Sequence, residues 1–201
     1  MFGRQVTALR CDVSKEHEVV ATVAETMRRH GRLDVLVNNA GTSYWGLPEE
    51  IPLKGWQKVM DVNLTGTFLS CREAAKVMMA RGSGSIINIA SVGAYLSYRP
   101  SDGQVVPYTT SKAAIVHLTQ DLAAQWAAKG VRVNAIAPGQ VESGMTYTLD
   151  ETTRRGVMDS ILMNRIGHPR EVSAVLATLA SDAGSFITGQ TYVVDGGQML
   201  G

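Results

Sequence analysis

Only two cysteines, Cys11 and Cys71, occur among the 201 residues of this chain, and its four histidines lie far apart in the sequence. Two cysteines cannot form the multiple disulfides that hold a small secreted domain together, and they make no cluster of metal ligands. We therefore expect no metal site. Because so few cysteines are typical of proteins kept in a reducing compartment, we expect a cytoplasmic location.

The sequence also lacks an excess of charge and any long apolar run. Lysine and arginine number 19 against 18 aspartates and glutamates, so the formal net charge is only +1. A nearly neutral chain gives no indication of a nucleic acid partner or of an anionic membrane surface. No apolar run approaches the roughly 18 residues of a membrane span, and residues 1–8 lack the apolar stretch of a signal peptide.

The composition is that of one globular domain spanning residues 1–201, with 45% hydrophobic and 18% charged residues. Strand-like and helix-like segments alternate along it. Strands are predicted at 6–9, 33–37, 85–89, 131–136 and 191–194; helices are predicted at 14–30 with Ser14 as cap, about 64–80, 107–129 and 169–180. This alternation predicts an α/β fold with a doubly wound parallel sheet.

Ligands of a doubly wound sheet bind beyond the carboxyl ends of the strands. Four residues follow predicted strands directly and should therefore lie along one edge of the sheet: Asp12, Asn39, Ser91 and Pro138.

Tyr108 and Lys112 are the most informative pair in the sequence. Four residues apart, they lie one turn from each other on the same face of the predicted helix. A free phenol, with a pKa of about 10, is a poor acid or base at neutral pH. An ammonium roughly 5 Å away favours the phenolate by about 3 kcal/mol at an effective dielectric of about 20. The pair therefore predicts a tyrosine able to exchange a proton near neutral pH.

Several further motifs accompany this pair in a fixed order. They are Asn38-Asn39-Ala40-Gly41, Asn63 within 61–66, Ser91 after a strand, Tyr108 with Lys112, Pro138-Gly139 after another strand, and Val194-Asp195-Gly196-Gly197. Together they resemble the classical short-chain dehydrogenase/reductase family over nearly the whole chain. The resemblance implies a Rossmann-like fold and a hydride transfer between NAD or NADP and a small-molecule alcohol/ketone pair.

The resemblance implies four catalytic residues. Tyr108 would be the acid and base, and Lys112 would assist it and hold the nicotinamide ribose. Ser91 would donate a hydrogen bond to the substrate oxygen, which gains negative charge during the reaction. Asn63 would hold a water molecule in a proton relay to the lysine.

The resemblance also implies a set of cofactor contacts: Asp12, Val13, Asn39, Ala40, Gly41, Tyr108, Lys112, Pro138, Gly139, Val141 and Ser143. Among these, Ser143 stands where the family more often has threonine, and an aspartate that only closes a turn explains Asp12 nearly as well. Residues 142–161 match the family's substrate lid. A homo-oligomer, a tetramer or a dimer built on the two long helices and the last strand, is also implied.

The chain departs from the family at its amino-terminal end. The family opens with a strand, a glycine-rich turn and a helix that hold the cofactor pyrophosphate, then a second strand; this sequence begins at what matches the third strand. The glycines of Gly82-Ser-Gly84 do not replace that turn, because they precede a strand and do not follow one. Without the first two strands, the third and fourth would stand about 14 Å apart.

Three explanations of this gap remain open: a longer natural protein, which we favour, a third strand that moves in to pair with the fourth, or a detached first segment. A second departure is the separation of Ser91 from Tyr108, which is longer than usual because of the polar stretch 98–104. Two alternatives to a dehydrogenase also remain: a catalytically inactive subunit acting through oligomerisation, and epimerisation or dehydration on the same fold.

Overall fold

The computed structural model describes residues 6–98, 105–142 and 150–200 of the chain. Within them, four strands form one parallel sheet in the order β1-β2-β3-β4. The strands are β1 (Val35–Asn38), β2 (Gly84–Ile89), β3 (Val131–Pro138) and β4 (Thr191–Val194). All four lie where the sequence predicts strands, so the predicted parallel α/β architecture is confirmed.

Helices cover both faces of this sheet. They are α1 (Glu16–His30), α2 (Leu53–Met60), α3 (Gly66–Arg81), α4 (Val106–Trp126), α5 (Glu151–Asp159) and α6 (Pro169–Ala180). Helices α3 and α4 pack on one face, and α6 packs on the other. In the described part of the chain, no helix combines the length and the apolar character that crossing a bilayer requires.

Alternation along the strands builds the two halves of the core. Ile86 and Val133 are fully buried on the side of α3 and α4, where they pack with Met78. Ile87, which follows Ile86 on β2, and Ile136, three residues after Val133 on β3, point to the opposite face and pack against α6. Successive strand residues point to opposite faces, so strands covered on both sides become continuously apolar. The core thereby fixes the register of the carboxyl ends of the strands.

The predicted strand at 6–9 is wrong. Residues 6–10 are irregular and exposed, with Val6 at 87% of its full accessibility. A strand is stabilised by its pairing partner, and in the described residues β1 pairs with β2 alone. Pairing of this segment with the next strand of the sheet, one of the three explanations considered for the amino-terminal gap, is therefore not what the structure has.

Ser14 is not the cap of α1. Its backbone N–H and its hydroxyl both donate to Asp12 Oδ1, at 3.0 and 2.7 Å, and the helix begins two residues later at Glu16. Within the described residues the serine oxygen accepts from no N–H of the first helical turn, which a cap requires. At the other end α1 terminates at Gly31 in the left-handed conformation, as predicted.

Gly130 lies between α4 and β3, and it allows a stability test of the close approach between the chain before β3 and the chain before β2. It has a φ of +80°, and a Cβ on it would collide with the carbonyl oxygen of Gly82. Gly31 has a similar φ of +70° but nothing within 4 Å. We expect Gly31→Ala to cost about 1–2 kcal/mol in the free energy of unfolding, from its backbone conformation alone. Gly130→Ala should cost about 1–3 kcal/mol more, since a neighbouring backbone must also move.

Urea unfolding of the two variants measures this difference. Equal losses of stability would mean that the close approach of residues 82 and 130 is absent in solution.

Candidate functional site

The carboxyl ends of three neighbouring strands meet at one edge of the sheet. Asn39 follows β1, Ala90 and Ser91 follow β2, and Pro138 ends β3. The parallel pairing of β1 with β2 and of β2 with β3 puts these ends side by side. Three of the four residues predicted to share this edge therefore do so. Asp12 is the exception in one respect, since no strand precedes it.

Asn63 lies in a π-helical turn, Asp61–Thr65, that joins α2 to α3. The turn rotates the asparagine inwards, and it is completely buried. Its amide clasps the backbone of Thr42: Oδ1 accepts from Thr42 N–H at 2.8 Å, and Nδ2 donates to Thr42 O at 2.9 Å. Single π-turns inside helices are frequent at functional sites. The sequence indicated this residue through the family motif at 61–66 and through an asparagine that is mildly unfavourable in a helix.

Lys112 is buried beneath the same edge. Its Nζ donates to the carbonyl oxygen of Ile89 at 2.6 Å. Because burial removes water from the ammonium, the pKa of Lys112 falls from 10.5 to about 8. A Cβ placed on Gly41 would lie 3.9 Å from this nitrogen and 3.5 Å from Asn63 Oδ1. Gly41, Asn63 and Lys112, from three separate elements, therefore converge on one point.

Tyr108 and Lys112 come together on α4 as their spacing predicts. The lysine Nζ lies 5.5 Å from the centre of the tyrosine ring. Tyr108 is half-buried, whereas Lys112 retains 4% of its accessibility. The tyrosine is therefore more accessible than the cation beside it.

Ser91 lies before a short 3₁₀ turn, Val92–Ala94, that packs on α4. Its Oγ accepts a hydrogen bond from the backbone N–H of Gly93 at 3.1 Å. Among the described residues nothing accepts the hydroxyl proton of Ser91, which leaves it as a donor for a ligand. A Cβ on Gly93 would lie 3.4 Å from Ser91 Oγ and 3.3 Å from Thr109 Cγ2. The serine therefore stands beside the first turn of α4, which carries Tyr108.

The predicted cofactor contacts near the start of the chain and after β1 lie in three different settings. Asn39, Ala40 and Gly41 are exposed in the loop after β1. The carboxylate of Asp12 is exposed and closes a turn with Ser14, and these hydrogen bonds hold its pKa below the usual value. Val13 packs on α3, where a Cβ added to Gly66 would lie only 2.8 Å from Val13 Cγ2. The turn-closing role of Asp12 is thus what the structure displays, while its contact with a cofactor stays a prediction.

The loop after β3 is held by the end of β4. Gly139 N–H donates to Val194 O at 3.0 Å, and a Cβ on Gly139 would lie 2.7 Å from Asp195 Cβ. Val141 forms a single parallel bridge with Gly167. Ser143 falls outside the described residues, and so does most of the lid before α5.

Two supporting residues were missed by the sequence analysis. Ser111 Oγ accepts from Asn63 Nδ2 at 2.9 Å and donates to Tyr108 O at 2.7 Å. Thr42 is the other, because its backbone holds the asparagine amide. Ser111 links the π-turn to the helix that carries the tyrosine, and Thr42 links it to the loop after β1; no local pattern displays such relations between distant segments. In the described residues, no three His, Cys, Asp or Glu side chains are grouped as a metal site requires.

The buried Lys112 predicts a specific dependence of stability on pH. The unfolded lysine binds its proton more tightly than the folded one, so the charged side chain destabilises the fold below about pH 8. This penalty disappears as the pH rises from about 8 towards 10.5. The difference between these two pKa values corresponds to about 3 kcal/mol.

Lys112→Met isolates this effect, because its side chain fills similar space without a charge. We expect the stability of the natural chain, relative to this variant, to increase by about 3 kcal/mol between about pH 7 and about pH 10.5. Chemical denaturation at several pH values measures it, and other titrating groups cancel in the comparison. A difference that stays constant with pH would show that the amine is solvated.

Comparisons with known proteins agree with this geometry. Residues 1–199 match the family model described as Enoyl-(Acyl carrier protein) reductase. The chain is 41% identical over 201 residues to Glucose 1-dehydrogenase 2 of Bacillus subtilis strain 168, a match covering 98% of this chain and 76% of that protein. It is 36% identical over 200 residues to Dehydrogenase/reductase SDR family member 4 of Bos taurus, covering 98% and 70%.

A solved structure has the same fold. It is a gluconate 5-dehydrogenase from Burkholderia cenocepacia J2315 in complex with NADP and tartrate, which superposes with a TM-score of 0.88 at 34% identity. The match covers 94% of this chain and 74% of that one.

Proposed function

The chain belongs to the short-chain dehydrogenase/reductase family, and from this premise we propose how its own residues carry out the reaction. Its relatives are NAD(P)-dependent oxidoreductases, and the chain is an oxidoreductase that uses NAD or NADP. The reaction is a hydride transfer between the cofactor and an alcohol/ketone pair. We assign the acid–base step to Tyr108, its support to Lys112, and the binding of the substrate oxygen to Ser91.

The observation that carries this assignment is the buried ammonium beside a half-exposed phenol. Lys112 Nζ is 5.5 Å from the ring centre of Tyr108 and is held there by the carbonyl oxygen of Ile89. We infer that this cation assists proton exchange at the phenol, because the two groups share one face of the same helix. A tyrosine of this kind can give up and take back a proton during catalysis.

In the reducing direction, the substrate carbonyl carbon receives the hydride and its oxygen receives the proton of the Tyr108 hydroxyl. The C=O double bond becomes a C–O single bond, and a phenolate remains beside Lys112. The Ser91 hydroxyl, whose oxygen accepts from Gly93 N–H, donates a hydrogen bond to the same oxygen and so stabilises the charge that develops on it. Oxidation of the alcohol runs through the same groups in reverse.

The residues around Gly41 fit a nicotinamide cofactor. Glycine at this position leaves free the volume that a Cβ would fill between Asn63 Oδ1 and Lys112 Nζ. The ammonium has three N–H donors and uses one on Ile89 O, so two can bind hydroxyl groups of a ribose. When bound, the nicotinamide supplies or accepts the hydride. Asn39, Ala40 and Gly41 would contact the adenosine side of the cofactor, and Pro138, Gly139 and Val141 would contact its nicotinamide.

Asn63 supports the residues around Gly41 through the hydrogen bonds of its amide. Both N–H groups of its amide are used on Thr42 and Ser111, and Oδ1 retains one lone pair facing the Gly41 position. That lone pair could hold the water of the proton relay that the family resemblance implies. The two hydrogen bonds between the Asn63 amide and the Thr42 backbone make a second contribution, because they fix the position of the chain next to Gly41.

We propose further that the protein is a homo-oligomer, a dimer or a tetramer, in the cytoplasm. Edge strand β4 and the segment before it carry exposed apolar side chains, Val193 and Phe186. Such side chains at a sheet edge are typical of an association surface. Sedimentation velocity tests the oligomer, and a monomer at micromolar concentration would contradict it.

The proposed cytoplasmic location depends on the cysteines. Both of them, Cys11 and Cys71, are free thiols, which suits a reducing compartment.

The function is tested by binding and turnover measured on the same preparation. We expect NADH or NADPH to give saturable quenching of tryptophan fluorescence, and a panel of ketones to be reduced with loss of the cofactor's absorbance. Lack of saturable quenching by either cofactor would favour the alternative of an inactive subunit. Binding without reduction of any ketone in a broad panel would favour another reaction on the same fold.

A further inference from the structure

A groove of about 320 Å³ opens where the first turn of α4 meets the start of α2. Its lining in the described residues consists of Pro48, Ile51, Leu53, Trp56 and Val106, and every one of these is apolar. Leu53 is 77% exposed and Val106 is 40% exposed, so the groove is open to a ligand. Its volume lies at the lower end of the range typical of small-molecule sites.

The groove is built from the same elements as the proposed catalytic site. Val106 is the first residue of α4, the helix whose first turn carries Tyr108. The opposite wall belongs to the segment that starts at Gly41, next to Lys112 Nζ, and reaches Pro48 seven residues later. The ring of Tyr44 holds this segment on α2, since a Cβ on Gly55 would lie 2.7 Å from Tyr44 Cε2.

We propose that this groove binds the part of the substrate that does not react, and that this part is an uncharged alkyl or aryl group. The inference rests on the proposed function, because it supplies a substrate class for the same site. A sugar or sugar acid would bring several hydroxyls or a carboxylate against side chains that offer a single donor, the indole N–H of Trp56, and no acceptor, and burying unpaired polar groups is unfavourable. A second protein chain is the less suitable occupant, since stable interfaces involve about 20–30 residues a side and this groove has five.

The test uses propiophenone as an aryl ketone probe and glucose as the hydroxylated comparison. Binding to the intact chain is followed by tryptophan fluorescence, because Trp56 lies in the groove wall. We expect propiophenone to quench saturably and glucose to produce no saturable change. Leu53→Ser should weaken propiophenone binding by about fivefold or more, through the loss of apolar contact.

Leu200→Ser is the matched control, because Leu200 is 81% exposed and lies outside the groove. It should bind propiophenone as the natural chain does. Equal affinity of the natural chain and Leu53→Ser, or no saturable binding of propiophenone, would overturn the inference. So would a Leu53→Ser variant that fails to assemble, since the groove would then be a contact between copies of the chain.

Turnover separates this inference from the proposed function. If propiophenone binds in a way that depends on Leu53 but is not reduced with either cofactor, the groove assignment stands and the proposed function fails for this ligand. If it is reduced with the same kcat/KM by the natural chain and by Leu53→Ser, the proposed function stands and the groove assignment fails.

Discussion

Tyr108→Phe is expected to lower kcat for hydride transfer by about 10²–10⁴-fold, the range that a positioned acid or base contributes. The substitution removes one hydroxyl from a half-buried ring and leaves the ring beside Lys112. Stability should therefore change by less than about 0.5 kcal/mol. The rate is measured by the absorbance of the reduced cofactor with saturating ketone, and stability by thermal unfolding of the same samples.

Tyr192→Phe is the matched control for this change. Tyr192 is a partly buried tyrosine of β4 that packs among apolar residues on the α6 face. It should keep the natural rate. Turnover by Tyr108→Phe within a factor of about three of the natural chain would remove the tyrosine from the chemistry.

Ser91→Ala should have the second largest effect, a loss of about 10²–10³-fold in kcat, as is typical when one donor to a developing oxyanion is removed. The reason is the Ser91 hydroxyl, because its Oγ accepts from Gly93 N–H while no acceptor for its proton lies among the described residues. Cofactor affinity should be nearly unchanged, since the donor acts on the substrate oxygen. The measurement is kcat together with a cofactor titration of the variant.

Two variants give this experiment its controls. Ser91→Thr keeps a hydroxyl and should recover part of the lost rate, which a merely structural defect would not predict. Ser173→Ala removes an exposed serine on α6 and should have no effect. If Ser91→Ala weakened cofactor binding as strongly as it lowered kcat, the serine would belong to the cofactor site.

The elements that were predicted correctly depend on short stretches of the sequence. β4 and α6 begin and end where their patterns predict, at Thr191–Val194 and Pro169–Ala180. Apolar runs of four to eight residues, and a glycine after a helix, act over short stretches of chain. The same holds for the Tyr108–Lys112 pair, because one helical turn determines its geometry.

The failed predictions involve competition between neighbours or partners at a distance. The segment 6–9 has the residues of a strand but nothing to pair with, and it remains irregular. Ser14 has the residue type of a helix cap, yet its side chain is turned back to Asp12 and the helix begins two residues later. Local preference is weak compared with a charged hydrogen bond or with the pairing of a whole strand.

The sequence by itself therefore determined the four strands of the sheet, the family and the placing of Tyr108 and Lys112 on one helical turn, because each depends on periodicity or on residues close together in the chain. Only the tertiary structure decided the environment of those residues. The π-turn that buries Asn63, its hold on Thr42, and the desolvation that brings the pKa of Lys112 to about 8 all join segments tens of residues apart. Burial and electrostatic strength depend on what surrounds a group in space, so packing of the whole chain sets them.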